Sequence, residues 1–454
     1  MVEWISSIDS AVNSVVWGPV MLTLLIGVGL FLSAKTGFLQ FGKFWYMLRS
    51  TVLGLFSKKQ HTKDSSGVSP FQAVTTAMAG TIGTGSIAGL ATAIVSGGPG
   101  AVFWMWISAL LGMVTKYSEI VLSIKYRQKN ADGQWVGGPM YYIKNGLNCK
   151  WLAAVFSILA MVACLGTGNA TQSNSIAVAL QSTVGIKPWI TGLVLTVIAA
   201  AVILGGMRRI ASVNEKLVPF MAVFYVLCSV IALIINIKSV PAAFALIFKE
   251  AFNFKAALGG AAGYGVLTAM HFGFSRGVFS NEAGLGSAPI AHAASSTKDP
   301  VKQGLWGMFE VFFTTIIICT LSALVILTTG IWETKEILGS ALSIASFNKI
   351  IPGVGGIIVT LATVFFALST ILGWAYYGEV SMEYLSGSSK TAVIAYRCVY
   401  VATVFVGTIG SLDLIWSISE TMNGLMAIPN LLALIGLSKV IKDVTCRHFN
   451  GLKK

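Results

Sequence analysis

A run of eight residues rich in glycine and hydroxyl side chains lies inside a long apolar segment of the chain. It reads A-G-T-I-G-T-G-S over 79–86. Each glycine weakens a helix by about 1 kcal/mol relative to alanine. Unwound backbone here would offer carbonyl oxygens to a cation and N–H groups to a carboxylate. Small residues are also typical of a close helix–helix contact, so both interpretations stay open.

A second polar segment reads T-A-M-H-F-G-F-S-R-G over 268–277 and leads into N-E-A-G-L-G-S over 281–287. Ionisable residues at membrane depth are costly and usually functional. His271 is therefore a candidate proton carrier or ligand contact, or else a neutral imidazole bonded to backbone. Arg276 and Glu282 form either a gate pair or a solvated loop near the inner surface.

A third polar run reads G-T-G-N-A-T-Q-S-N over 166–174. Within it, Asn169 and Gln172 share one helical face, which points at a cavity or hydrogen-bonds to another helix. Elsewhere, the adjacent hydroxyls of Ser369 and Thr370 can complete oxygen coordination around sodium. Alone, that pattern also fits hydroxyls that bond back to their own helix.

The composition indicates whether these segments lie in water or in a lipid bilayer. The chain of 454 residues is 55% hydrophobic and 11% charged, whereas soluble domains carry about 25% charged residues. The net charge of +14 comes from basic residues in short loops between apolar runs, which disfavours nucleic acid as a partner. The six cysteines form no CxxC pair, so neither a zinc site nor a disulfide framework is expected.

Apolar runs long enough to cross a bilayer predict an all-α polytopic membrane protein. The eleven predicted spans are 15–32, 70–95, 102–124, 151–180, 188–204, 216–237, 256–279, 304–327, 355–377, 392–409 and 414–437. With the N-terminus outside, 25 of the 31 Lys and Arg residues fall on the inner side. This bias predicts a cytoplasmic C-terminus in a plasma or inner membrane. The segment 38–56 mixes aromatic and basic residues as an interfacial helix does.

An internal repeat follows from the span count. After one extra span, two groups of five spans remain, and because five is odd the halves must lie upside down relative to each other. The predicted units are 1–66 with the first span and interfacial helix, 67–238 and 239–438 as inverted repeats, and the basic tail 439–454. G-T-G-S and G-L-G-S occupy comparable places in the two halves. The break in the seventh span therefore lies either at 268–277, which is favoured as nearer mid-membrane, or at 284–287.

Three motifs resemble those of the alanine/glycine:cation symporter family. They are G-G-P-G-A-V-F-W-M-W-I-S-A-L-L-G over 97–112, S-N-E-A-G-L-G-S-A over 280–288, and G-T-I-G-T-G-S-I-A-G over 80–89. The resemblance covers essentially the whole chain. It implies a leucine-transporter-like fold of the amino acid–polyamine–cation superfamily with one additional N-terminal helix. It also implies sodium-driven uptake of alanine or glycine, with protons used by some members.

The same resemblance implies a site. Carbonyls of Gly80 and Gly83 with the hydroxyls of Ser369 and Thr370 would hold sodium. The substrate carboxylate is expected on N–H groups near Thr84 and Gly85, its ammonium on carbonyls of the second break, and its side chain under a cap of aromatic rings. The remaining expected substrate contacts are Ala79, Thr167, Asn169, Gln172, Thr268, Phe272, Gly273, Phe366 and Trp374.

The expected function is sodium-coupled symport of a small neutral amino acid by alternating access. A functional monomer is expected, with no cofactor besides Na⁺ as the coupling ion and no partner besides the amino acid and the lipid bilayer. The alternatives are a proton-coupled symporter and an ion channel, which would need a continuous polar path. An enzyme is disfavoured because the apolar spans carry no HExxH motif and no paired aspartates. The sequence leaves open alanine against glycine, L against D isomers, and sodium against protons.

Overall fold

The protein is described by a computed structural model over residues 2–55, 67–253, 265–335, 337, 339–410 and 413–451. Helices make up nearly all of it. Those of the first half are α1 Val2–Val16, α2 Pro19–Lys35, α3 Leu39–Gly42, α4 Phe44–Ser50, α5 Val52–Leu55, α6 Pro70–Thr81, α7 Ala88–Gly97, α8 Gly100–Tyr126, α9 Pro139–Gly146, α10 Lys150–Leu165, α11 Thr171–Val184, α12 Pro188–Ile203 and α13 Gly206–Ile235.

The second half continues the helical pattern. Its helices are α14 Val240–Ala251, α15 Val266–Asn281, α16 Ala288–Ala293, α17 Pro300–Val311, α18 Thr320–Leu327, α19 Gly339–Ile350, α20 Gly355–Leu385, α21 Lys390–Ile409, α22 Asp413–Gly436 and α23 Ser438–Gly451. π-helical segments join α10 to α11 (Gly166–Ala170) and α17 to α18 (Phe312–Cys319). A two-stranded antiparallel hairpin, β1 Gln128–Lys129 and β2 Trp135–Val136, follows α8.

Several of these helices are suited to a bilayer. Within the described ranges, eight helical segments are long and apolar enough to cross a membrane, and a ninth candidate is the bent pair α6 and α7. α12 is shorter but also apolar. The chain is therefore a helical, multi-pass membrane protein. The first part of the predicted seventh span, 256–264, lies outside the described residues.

Local sequence explains where the helices of the site begin. Ser69 and Gln72 form a reciprocal capping box at the start of α6, whose first residue is Pro70, a position that suits proline. The Asp299 side chain accepts hydrogen bonds from the first two N–H groups of α17, at 3.0 and 3.2 Å. Both starts are thus fixed by side chains rather than by packing alone.

α8 lies at the centre of the helix bundle, and helices with exposed apolar side chains lie on its outside. α8 packs along both α15 and α17 and is buried over most of its length. By contrast, α12 and α13 expose rows of large apolar side chains such as Val197, Phe220 and Ile234, as lipid-facing helices do. The predicted interfacial segment forms α3 to α5 and exposes Phe41 and Trp45. Residue 56 of that segment lies outside the described part.

Candidate functional site

The first helix break lies between α6 and α7, as the glycine-rich run predicts. α6 ends at Thr81, a single 3-10 turn covers Thr84–Ser86, and α7 begins at Ala88. The axes of the two parts differ by 56°. All the residues of the break are buried in protein, which is the condition under which non-helical backbone is tolerated at membrane depth. The predicted break is confirmed.

The second break lies at 282–287, not at the favoured position 268–277, so that prediction is wrong. α15 runs without interruption from Val266 to Asn281. Unwinding begins where Glu282, Gly284 and Gly286 take positive φ values of 57°, 95° and 81°, a region that glycine enters at little cost. The helix at 268–277 is continuous despite its polar residues. The alternative position at 284–287, which the second G-x-G-S motif indicated, lies within the observed break.

The glycines within α15 have a packing role instead. A Cβ atom at Gly273 would lie 2.5 Å from the Trp104 Cβ atom, and one at Gly277 would lie 3.0 Å from the Ser108 hydroxyl. Both glycines therefore allow α15 to pack closely against α8. They are small residues at a helix contact rather than points of unwinding.

The two breaks lie side by side. The hydroxyls of Ser86 in the first and Ser280 at the edge of the second are 3.1 Å apart. A Cβ atom at Gly85 would lie 3.0 Å from the Phe279 ring. The ends of the half-helices thus face one shared region near the middle of the protein.

Five of the expected site residues converge on the first break. The Gln172 Oε1 atom accepts hydrogen bonds from the Thr84 N–H at 3.3 Å and the Thr84 hydroxyl at 3.0 Å. The Thr370 hydroxyl donates to the Ala79 carbonyl at 2.9 Å. A Cβ atom at Gly83 would lie 2.6 Å from the Thr370 oxygen and 3.5 Å from Gln172 Oε1. A carbonyl end, an N–H end and two side chains from other helices therefore meet here.

The paired hydroxyls of α20 face the carbonyl end of α6. Ser369 donates to the carbonyls of Phe366 at 2.8 Å and Ala79 at 3.4 Å, and Thr370 shares both acceptors. Ser369 and Thr370 are fully or almost fully buried. Neutral carbonyl and hydroxyl oxygens are the groups that hold sodium at broken helices. The residues present therefore fit a sodium ion between α6 and α20.

The π-helical segment Gly166–Ala170 presents the third polar run to the same region. The Gln172 amide donates to the Thr167 carbonyl at 3.0 Å, and the Asn169 amide donates to the Tyr400 carbonyl at 2.6 Å. The Thr167 hydroxyl and Asn169 Oδ1 are buried and lack a hydrogen-bond partner in the described structure. Single π-turns occur often at functional sites. This run therefore supplies both a fixed contact and unused polar atoms.

Three expected substrate contacts depend on a break at 268–277. Because α15 is continuous there, these three predictions are corrected. Thr268 is exposed near the start of α15. Phe272 packs against Gly97 at the end of α7, and Gly273 against the α8 backbone. Phe272 and Gly273 thus contact α7 and α8 rather than the Thr84–Gln172 pair.

Phe366 and Trp374 lie on α20, on either side of the Ser369–Thr370 pair along the helix. The Phe366 ring packs against the Tyr225 ring with centroids 5.2 Å apart. Trp374 packs so closely on Gly168 that a Cβ atom there would lie 2.4 Å from the Trp374 Cβ atom and 2.5 Å from the indole Cγ atom. The indole N–H donates to Glu282 Oε1 at 2.9 Å. Trp374 thus connects α20 to the second break.

Arg276 and Glu282 do not pair with each other. Arg276 forms an ion pair with Glu420 at 2.6 Å. Glu282 is buried and accepts hydrogen bonds from Trp374 and Ser287. His271 lies 2.9 Å from the Trp17 carbonyl, so the backbone-bonded interpretation of this imidazole is confirmed.

Sequence reasoning missed a buried cluster of charged groups beside the breaks. The Lys116 ammonium lies 2.8 Å from Glu310 Oε1, 2.7 Å from the Asn281 carbonyl and 3.1 Å from the Thr81 hydroxyl. Thr81 also donates to Glu310, and His292 Nε2 lies 3.3 Å from the other Glu310 oxygen. The cluster ties the ends of α6 and α15 to α8, α16 and α17. A lysine within the predicted span 102–124 was the available signal.

A second missed carboxylate, Glu119, lies one turn further along α8. Its Oε1 atom accepts hydrogen bonds from the N–H groups of Gly284 and Gly286, each at 3.1 Å, and from the Asn430 amide at 2.5 Å. Bare N–H groups of this kind attract anions. Glu119 thus already fills the anion-binding position of the second break.

Two broken helices side by side, with hydroxyls from α20 and an amide from α11 facing them, define the class of secondary transporters with a leucine-transporter-like fold. A solved Na⁺-coupled sialic acid symporter in its substrate-bound outward-open state shares this fold, with a TM-score of 0.56 and 13% identity over 92% of this chain and 87% of that one. A manganese transporter from Eremococcus coleocola gives a TM-score of 0.52 at 15% identity, covering 85% of this chain and 80% of that one.

The sequence profile of the Sodium:alanine symporter family matches residues 2–454, and the chain belongs to that family of transporters. A relative named sodium/alanine symporter AgcS, from Methanococcus maripaludis, is 47% identical over 99% of this chain and 98% of its own length. An uncharacterised transporter from Haemophilus influenzae is also 47% identical, over 99% of this chain and 97% of its own length.

Proposed function

We propose that the protein takes up a small neutral amino acid, alanine or glycine, together with sodium by alternating access. The observation that carries this proposal is the first break, where unwound backbone lies between the hydroxyls of α20 and the Gln172 amide. Free backbone dipoles of both signs suit a zwitterion and an accompanying cation. The family membership supports the same class of substrate and ion.

The substrate carboxylate binds at the N–H groups of Thr84 and Gly85, at the start of the half-helix that leads into α7. The Thr84 N–H now donates to Gln172 Oε1, so an oxygen acceptor already occupies that position. The equivalent N–H groups of the second break are taken by Glu119. The acceptor at the first break is a neutral amide oxygen, which a substrate carboxylate can replace, whereas the acceptor at the second break is itself a carboxyl group.

The ammonium group of the substrate binds to the oxygen that its carboxylate displaces. Once the Thr84 N–H turns to the substrate, Gln172 Oε1 is free to accept from the ammonium. The buried Thr167 hydroxyl and Asn169 Oδ1 are further acceptors on the same helix. Phe366 and Trp374 would limit the side chain to a small size.

Sodium binds between α6 and α20. The Ala79 carbonyl, which the α20 hydroxyls already contact, adds to the expected set of Gly80, Gly83, Ser369 and Thr370. An ion here would fix the end of α6 relative to α20 and thereby order the Thr84 N–H group. By linkage, sodium and substrate must then raise each other's affinity equally.

The membrane arrangement we propose has eleven spans, with the N-terminus outside and the basic tail in the cytoplasm. In it, 67–238 and 239–438 form the inverted repeats and 1–66 adds the extra helix and interfacial segment. The support is that α6–α7 and α15–α16 correspond to the first predicted span of each half and that each breaks at a G-x-G-S motif. A functional monomer is sufficient, because every proposed ligand group comes from one chain.

Uptake of labelled alanine into proteoliposomes of the purified protein tests the function. We expect saturable uptake that requires an inward sodium gradient and that unlabelled glycine competes with, whereas leucine and glutamine compete weakly. Equilibrium alanine binding should weaken when choline replaces sodium. Alanine binding that is identical in sodium and choline would refute sodium coupling, and a lack of competition by any small amino acid would refute the substrate class.

A further inference from the structure

The buried charges around the two breaks do not balance. Three buried carboxylates, Glu119, Glu282 and Glu310, lie in or beside them, together with Lys116, the only buried lysine among the residues that the structure describes. Lys116 pairs with Glu310 at 2.8 Å. Two carboxylates therefore remain whose hydrogen bonds come from uncharged donors. An uncompensated charge is costly in the interior of a protein, and most of all inside a membrane.

Glu282 occupies the more exchangeable of these two positions. Its backbone, at φ 57°, ends α15, and the residue is only 3% exposed. Its Oε1 atom accepts from the Trp374 indole at 2.9 Å and its Oε2 atom lies 2.5 Å from the Ser287 hydroxyl. Over the described ranges it has no Lys, Arg or His within ion-pair distance. Its carboxyl group therefore joins the second break to α20 through neutral contacts alone.

The groups that face Glu282 come from four elements packed around it. Lys116 of α8 and Glu310 of α17 act on it with opposite sign, and they are already paired with each other. Cys164 of α10 and Tyr377 of α20 are the other titratable groups that interact with it. None of these supplies a full counter-charge to Glu282.

The Glu119 carboxyl group is held by more hydrogen bonds than that of Glu282. One of its oxygens receives three N–H donors, two of them from the backbone of the second break. These donors hold Glu119 in place, while its Oε2 atom is buried and accepts no hydrogen bond within the described residues. Glu282 instead links the second break to Trp374 of α20, so its surroundings change when these two elements separate.

We propose that Glu282 is a proton-binding site of the transport cycle, loaded when the site is closed and emptied when α20 separates from the second break. Unlike a metal ion, a proton does not need a set of coordinating oxygens. A carboxylate that binds it and one hydrogen-bond acceptor are sufficient. In the loaded state the acid O–H on Oε2 donates to the Ser287 oxygen, while Trp374 still donates to Oε1. The proton comes from water on one side of the membrane and returns to water on the other. This inference rests on the proposed symport and adds a second coupled cation to it.

Infrared difference spectra between sodium-plus-alanine and choline conditions test the loaded state directly. We expect a carbonyl stretch of a protonated carboxylic acid that is absent in Glu282→Gln and present in the matched variant Glu119→Gln. The measurement needs only binding, so it holds even if a variant does not turn over. Absence of the band in the wild-type protein, or its loss in Glu119→Gln but not in Glu282→Gln, would overturn the assignment.

A measurement of proton movement tests whether Glu282 takes up and releases its proton on opposite sides of the membrane. In proteoliposomes with a pH-sensitive dye inside, alanine added with a sodium gradient should acidify the lumen for the wild-type protein. Glu282→Gln should abolish that signal while alanine binding remains sodium-dependent. Sodium-driven alanine uptake without acidification would end the proton inference but leave the symport intact. Uptake that fails for every small amino acid would instead refute the proposed function.

Discussion

Gly83 lies between a proposed sodium ligand, Thr370, and a proposed substrate contact, Gln172. A Cβ atom there would lie 2.6 Å from the Thr370 hydroxyl and 3.5 Å from Gln172 Oε1. Overpacking of this kind costs about 1–3 kcal/mol, and each 1.4 kcal/mol is about tenfold in affinity. We therefore expect Gly83→Ala to raise the KM for alanine and for sodium by roughly tenfold or more in uptake assays.

The matched control for this substitution is Gly27→Ala on α2. A Cβ atom at Gly27 would meet nothing within 4 Å, so its KM values should equal those of the wild-type protein. If both variants transport alike, Gly83 does not lie at the site.

Lys116 carries the largest predicted effect on stability. Its ammonium and the Glu310 carboxylate are both fully buried, 2.8 Å apart. Removing one partner of a buried pair costs about 3–5 kcal/mol, because the other charge is left without compensation. Lys116→Met should therefore lower the thermal unfolding midpoint in detergent by many degrees, and the double variant with Glu310→Gln should recover part of the loss.

A surface ion pair provides the comparison. Lys390 and Asp132 lie 2.6 Å apart but remain 72% and 53% exposed, and such pairs contribute little. Lys390→Met should leave the unfolding midpoint almost unchanged. Equal midpoints for Lys116→Met and Lys390→Met would contradict the buried cluster as described.

Among the elements, the two broken helices show what sequence can and cannot predict. The first break follows from local composition, since Gly80, Gly83 and Gly85 each weaken one short stretch of helix. The second break was misplaced because 268–277 was favoured as the position nearer mid-membrane. What decides its position is backbone geometry, a positive φ at Gly284 and Gly286, and that depends on packing the sequence does not display.

The buried cluster was missed for a related reason. Lys116 and Glu310 are separated by 194 positions in the chain, and neither carries a local motif. Their pairing depends on α8 packing along α17. Local propensity therefore predicted elements and one break, whereas the residues that hold the breaks together required tertiary structure.

The second break should be sensitive to a single methyl group. Gly284 has a φ of 95°, and an L-residue in left-handed conformations pays roughly 1–2 kcal/mol. The added Cβ atom would also lie 2.8 Å from the Leu25 side chain. We expect Gly284→Ala to lower both the unfolding midpoint and alanine uptake, because the Glu119 contact depends on this backbone.

Gly37→Ala separates backbone strain from function. Gly37 also has a positive φ, of 69°, but a Cβ atom there would meet no neighbour within 4 Å. This variant should lose some stability and retain uptake. Uptake by Gly284→Ala at the wild-type rate would show that the second break plays no part in transport.

For the molecule as a whole, the proposed inverted repeat requires that the two broken helices run in opposite directions across the membrane. This follows because each half has five spans, and an odd number of spans makes the second half start on the opposite side of the bilayer from the first. In a chain of eleven spans the termini must lie on opposite faces, whereas an even number would place them on the same face. The location of the two ends therefore tests the architecture without any transport measurement.

Single-cysteine variants provide this test. Cys446 on α23 is exposed, and Ser7 near the start of the first candidate span is exposed as well. With the other cysteines replaced by serine, a membrane-impermeant maleimide should label Ser7→Cys in intact cells and Cys446 only in inside-out vesicles. A membrane-permeant maleimide should label both in either preparation, which controls for reactivity. Labelling of both positions from the same side would exclude eleven spans, and with them the two inverted groups of five.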